Sequence, residues 1–195
     1  MPFAEPITLR GTHVTLEPLA QTHHDGLCAA VADGELWSLW YTSIPTPDAM
    51  GAEITRRLGL QANGSMLPFA MRRNDTGAVC GMTTFMHIDA ANRRVEIGST
   101  WTAASAQHTG INTEAKLLLL GHAFDDLQCI AVEFRTHFMN YASRAAILRI
   151  GAKQDGILRN HQINAHGGYR DTVVFSIVES EWPAVRQHLR FKLDL

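Results

Sequence analysis

Gln107-His108-Thr109-Gly110-Ile111-Asn112-Thr113 leads without a break into Glu114-Ala115-Lys116-Leu117-Leu118-Leu119-Leu120, and the run reads as a phosphate-binding loop that opens a helix. The first turn of a helix leaves backbone N–H groups without intrahelical partners. The helix dipole adds partial positive charge at the same end, so an anion binds there without a cationic side chain. Gly110 lets the backbone come close to such an anion. Asn112 and Thr113 are short and polar and tolerate the irregular backbone where loop becomes helix. Lys116, one turn after Asn112 and on the same face, is expected to add a charge at the rim. A glycine before a helix is as often a plain cap as a ligand site, so the stretch before it matters: Arg94-Val95-Glu96-Ile97-Gly98-Ser99-Thr100-Trp101 reads as a strand feeding the loop.

Outward from this core, the chain alternates between the two periodicities. Residues 7–19 alternate around Gly11 as a bent strand or hairpin that ends at Pro18, and 22–32 carry helix formers up to the stop signal Asp33-Gly34. Leu36-Trp37-Ser38-Leu39-Trp40-Tyr41 holds three aromatics, which suit either a helical turn packed on the core or the wall of a substrate pocket. Thr46 caps a second helix over 47–60 with Pro47 at its first position. Strands over 66–73, 78–89 and 93–101 form a meander, turned at Asn74-Asp75-Thr76-Gly77 and Ala91-Asn92. A helix over 112–127 with a broad apolar stripe, a strand over 129–136 and a helix over 140–150 stopped by Gly151 follow. A hairpin of 153–162 and 171–178, turning at His166-Gly167-Gly168, and a helix started by Ser180-Glu181-Trp182-Pro183 complete the order β, α, α, β, β, β, α, β, α, β, β, α.

The length of 195 residues fits one domain spanning 1–195, and 46% apolar with 18% charged residues is ordinary for a globular chain. A net charge of −2 gives no footprint for general nucleic-acid binding. Cys28, Cys80 and Cys129 are odd in number, widely spaced and set among apolar residues, so they read as reduced core thiols and suggest neither disulfides nor a metal site. No basic leader and no long apolar run points to a membrane, and the expected location is the cytoplasm.

The spacing Gln107-x-x-Gly110-x-Asn112 resembles the (Gln/Arg)-x-x-Gly-x-(Gly/Ala) pyrophosphate loop of the GCN5-related N-acetyltransferases, with Asn112 where Gly or Ala is usual. Glu96-Ile97-Gly98 with Trp101, Asn140-x-x-Ser143 followed by Gly151-Ala152, and Arg170-Asp171-Thr172 through Ser176-Ile177 are similar to the branch of ribosomal-protein-alanine and ribosomal-protein-serine N-acetyltransferases. The resemblance runs through most of the chain and is densest over 96–182. It implies an α/β (α+β) fold with a mixed, mostly antiparallel sheet, splayed central strands and helices on both faces. It also implies acetyl-CoA as cosubstrate, no metal and a homodimer. The pyrophosphate would lie on the backbone N–H groups of Gln107, Thr109, Gly110, Ile111 and Asn112, with Thr113 completing the loop. The pantetheine arm would pair with the backbone near Trp101 and Thr102, and Asn140 and Ser143 would flank the arm and thiol.

Direct transfer from thioester to amine requires a neutral amine, a polarised carbonyl and a proton for the thiolate. Many relatives place a tyrosine seven residues after the asparagine, where this chain has Ile147, so Ser143 is the substitute acid. Glu96 is the candidate base, unless a structural hydrogen bond claims it. Relatives acting on a ribosomal serine terminus carry a glutamate near Gln162, which cannot serve as a base; His161 next to it is a candidate replacement. The acceptor, a small-molecule or peptide amine, is expected between Trp37, Trp40 and Tyr41 and the hairpin from His161 to Tyr169, with Asp33, Glu35 and Asp171 available to attract a cation. A rival reading is a non-catalytic acyl-CoA-binding sensor or scaffold. Nucleotide binding through a P-loop fails, because Gly-x-x-x-x-Gly-Lys-(Ser/Thr) is missing.

Overall fold

A computed structural model describes residues 3–164 and 167–195; His166, expected in the last hairpin turn, lies outside them. The first two strands are a hairpin, β1 (Leu9–Arg10) and β2 (Val14–Pro18). Helices α1 (His24–Ala32) and α2 (Met50–Ala62) follow. Thr46 Oγ1 accepts from the N–H of Ala49 at 3.3 Å, so the expected cap holds, although the first turn, Pro47–Ala49, is 3-10. The meander comprises β3 (Met66–Arg73), β4 (Val79–Asp89) and β5 (Arg94–Thr102). Then come α3 (Gly110–Gly121), β6 (Ala131–His137), α4 (Tyr141–Arg149), β7 (Lys153–Ile163), β8 (Tyr169–Val178) and α5 (Trp182–Lys192). Helix α3 runs on into a π turn, His122–Asp126, and β6 begins at Ala131 rather than at the buried Cys129.

The eight strands form one sheet in the order β1-β2-β3-β4-β5-β6-β8-β7. Every neighbouring pair is antiparallel except β5 and β6. Their parallel ladder is short, matching Arg94, Val95 and Glu96 to Ala131, Val132 and Glu133. Beyond Glu96, β5 stays paired with β4 as far as Thr102, and β6 with β8 as far as His137. The two strands therefore part in mid-sheet, each holding one partner and presenting an unladdered edge to the other. A β-bulge at Ser99, whose φ is +48°, bends β5 just past the parting.

Alternation along the strands assigns the two faces. Val95, Ile97, Val132 and Phe134 are buried in the apolar core. Phe85 meets the ring of His122 beyond α3, which places α3 on the side of the sheet to which Phe85 points. Arg57 of α2 donates to Thr84 Oγ1 at 2.7 Å, which places α2 on the other side. Among the described residues no helix is long and apolar enough to cross a membrane.

Candidate active site

The loop before α3 is held by its own side chains. Thr109 caps α3: its Oγ1 accepts from the N–H of Ile111 at 3.3 Å and donates to the Ala106 carbonyl at 2.7 Å. Gln107 Nε2 donates to the Thr102 carbonyl at 3.2 Å and so ties the loop to the end of β5. Among the described residues the N–H groups of Gly110 and Asn112 have no partner. A Cβ on Gly110 would lie 3.0 Å from Cδ2 of the exposed His13, tighter than ordinary contact, so the His13 ring would have to give way. The His13 backbone is fixed by Glu114, whose buried carboxylate accepts from the N–H groups of Thr12, His13 and Val14 at 2.7, 2.6 and 2.8 Å. Gly11 makes room for it, since a Cβ there would sit 2.3 Å from the Glu114 carboxyl carbon. Buried Trp101 Nε1 and Asn112 Oδ1 are also without a partner. Thr113 is buried.

Lys116 corrects the expectation of a charge at the rim. Its Nζ donates to Thr83 Oγ1 at 3.2 Å and Thr100 Oγ1 at 2.9 Å under α3, and burial pulls its pKa from 10.5 to about 7. Its shared face with Asn112 is real, but that face looks at the sheet.

On the far side of the parting, Asn140 caps α4 by accepting from the N–H of Ser143 at 3.0 Å. The Ser143 hydroxyl has no partner among the described residues and stands in the first turn. Ile147 is buried, so this position offers no hydroxyl.

Glu96 is 5% exposed, and its Oε2 lies 2.7 Å from His87 Nδ1 and 3.5 Å from Arg135 Nε. Burial raises its pKa against the opposing pull of His87 and Arg135. The register of Glu96 with Glu133 puts it on the same face as Arg135 and His137, two and four residues further along β6. Around His137 the aromatic stretch closes: Trp40 lies 5.1 Å and Tyr41 6.2 Å from its ring, with Trp40 57% exposed. Trp37 is half-buried against the core, as a packed turn requires.

His161 is exposed, and its Nδ1 lies 3.1 Å from Oγ1 of Thr172, the register partner of His137. The acids expected to attract a cation are partly engaged. Asp171 accepts from Arg159 Nε at 2.6 Å and from the N–H of Asn160 at 2.7 Å, while Asp33 Oδ2 accepts from the N–H of Ser105 at 3.0 Å. Glu35 is exposed in a left-handed turn. The sequence reading missed Glu114 and His137. Glu114 lies beyond the first turn of α3, which holds no acid, and nothing local marked either residue.

These groups are available to a ligand with an anionic head and an amide-bearing arm: free N–H donors and the dipole at α3, and unladdered strand edges in the parting. Residues 13–153 match the family described as Acetyltransferase (GNAT) domain. The chain belongs to the GNAT acetyltransferase family. A GCN5-related N-acetyltransferase from Brucella melitensis is 35% identical, with a TM-score of 0.84 covering 97% of this chain and 86% of that one. YdaF of Bacillus subtilis (strain 168), whose name gives it provisionally as a ribosomal N-acetyltransferase, is 34% identical over 106 residues. That match spans 54% of this chain and only 57% of YdaF. The fold is also that of Mycobacterium smegmatis RimJ, solved with CoA-disulfide, at 22% identity, a TM-score of 0.80 and coverage of 97% and 95%. The GNAT element order and the parting of β5 from β6 agree with the expectation from sequence.

Proposed function

We propose that this GNAT chain transfers an acetyl group from acetyl-CoA directly to a primary amine, on a peptide N-terminus or a small molecule. The observation that carries this reading is the parting of β5 and β6 just ahead of a loop whose amides open α3. The loop Gln107 to Asn112, with Thr113 closing the turn, holds the pyrophosphate; the N–H of Gln107 donates to the Ala104 carbonyl and that of Ile111 to Thr109 Oγ1, so the amides of Gly110 and Asn112 are the ready donors. The free edge near Trp101 and Thr102 pairs with the arm. Bound acetyl-CoA supplies an electrophilic thioester carbonyl and a thiol leaving group. A backbone N–H near the end of β5 polarises that carbonyl. Glu96 takes the proton of the amine, directly or through water; its raised pKa makes it a stronger proton acceptor than an ordinary carboxylate. Ser143, its hydroxyl free and its backbone held by Asn140, gives its proton to the departing thiolate and takes another from water, while Glu96 releases the amine's proton to solvent. Cys129 takes no covalent part, because burial pushes its thiol up to about 11 and leaves scarcely any thiolate. Trp40 and Tyr41 line the acceptor side, Trp37 backs them, and His161 stands at the outer edge. The ribosomal N-acetyltransferase name of YdaF favours a protein or peptide acceptor.

The test is thiol release from acetyl-CoA against amino acids, polyamines, aminoglycosides and short peptides with free N-termini. Release that depends on one acceptor class is expected. Release with none of them, while acetyl-CoA still raises the melting temperature, favours the sensor reading instead.

A further inference from the structure

His137 ends β6 on the Glu96 face and is 6% exposed. Its Nδ1 accepts from the N–H of Met139 at 3.0 Å, which leaves the ring proton of the neutral imidazole on Nε2. That Nε2 is buried and has no hydrogen-bond partner among the described residues. A buried donor left unpaired costs stability, so its retention calls for a partner supplied from outside. Arg170 reaches the same place. It is on β8 two residues before Thr172, the register partner of His137, and so lies on the same face. Its Nε is likewise buried and unpaired. Burial, and then Arg170, hold His137 toward its neutral form against the opposing pull of Asp171, and burial lowers the pKa of Arg170 against the support of Glu96. The Asp171 carboxylate is occupied by Arg159 and Asn160. The rings of Trp40 and Tyr41 flank the imidazole at 5.1 and 6.2 Å.

Two unpaired donors and two aromatic rings suit an oxygen acceptor carried on a short aliphatic group. They give no anionic cradle for a second cation. We propose that His137 Nε2–H, with Arg170 beside it, holds the acceptor by a carbonyl or carboxylate oxygen next to its amine, so that the site selects α-amines over polyamines and simple alkylamines. The inference rests on the acetyltransferase reading for the amine's fate, and on His137 and Arg170 alone for its recognition.

The experiment separates the two. An NMR titration of the protein saturated with coenzyme A measures the affinity of Ala-Ala-amide and of isobutylamine, for the parent, His137→Phe and His137→Gln. Phenylalanine keeps the ring packing and removes the donor; glutamine returns an N–H. The parent should bind the dipeptide amide about tenfold more tightly than the alkylamine. His137→Phe should erase that difference and His137→Gln should restore part of it, while the melting shift given by coenzyme A stays unchanged in all three. A parent that binds both amines alike, or a His137→Phe variant that keeps the preference, overturns the assignment. If the dipeptide binds with this dependence but is never acetylated, the catalytic reading fails and the recognition site stands.

Discussion

Gly110 is the residue on which the proposed coenzyme A binding turns. A side chain there would fill the space above the free amides and press on the His13 ring, whose backbone Glu114 holds. Gly110→Val should lower coenzyme A affinity at least about tenfold by calorimetry with the fold intact; unchanged affinity would remove the loop assignment. Ser143→Ala should slow the chemical step in single turnovers and leave coenzyme A affinity nearly as it was, because only the hydroxyl is lost and the Asn140 cap uses the backbone N–H. A full rate would clear Ser143 of the acid role. Glu96 has a directional pH signature. Burial raises its pKa, and the base form is the deprotonated one, so the rate should climb with pH along a limb lying above the usual carboxylate range. Glu96→Gln should lose both rate and limb. A limb that survives belongs to another group.

At the scale of the element, helix α3 carries two features: free amides at its start and a buried lysine at its middle. The folded chain releases the Lys116 proton near pH 7, whereas the unfolded chain keeps it to about pH 10.5. The unfolded state thus binds more protons between these values, and stability from this group rises as pH climbs through the window. Lys116→Met should exceed the parent in melting temperature most at about pH 6, where both states of the parent are charged, and the gap should narrow toward about pH 9. A gap independent of pH would show that packing alone separates the two. Local signals were legible in this helix and its neighbours, namely the apolar stripe, the glycine and the stop at Gly151, while the Thr109 cap was not, so the helix expected from 112 begins at Gly110. Which side of α3 meets the sheet was not legible either, because helical period relates Asn112 to Lys116 without saying what either faces. Contacts between distant segments, such as Glu114 with the β1–β2 turn or Trp40 with His137, leave no mark in spacing.

Across the whole molecule, eight strands meet continuously except where β5 and β6 part, and the groups proposed for chemistry stand along that parting. The order of elements was legible in sequence because each strand or helix carried its own period and punctuation. The site was legible only as far as motifs reach, since the proposed acceptor side draws on β5, β6, β8 and the loop after α1. At the sheet's edge, β7 pairs on one side alone and exposes Ile157, Leu158 and Ile163. Apolar side chains on an open edge suit the homodimer implied by the resemblance. Light scattering at micromolar concentration should return twice the chain mass; a monomer would count against it.

The most direct measurement follows the acetyl group itself. The protein is incubated with acetyl-CoA labelled in the acetyl carbon and with a short peptide bearing a free N-terminus, and both polypeptides are read by mass spectrometry. Direct transfer predicts label on the peptide α-amine as an amide, and none on the chain. Label trapped on a cysteine or serine of the chain, or no label on any amine supplied, would contradict it.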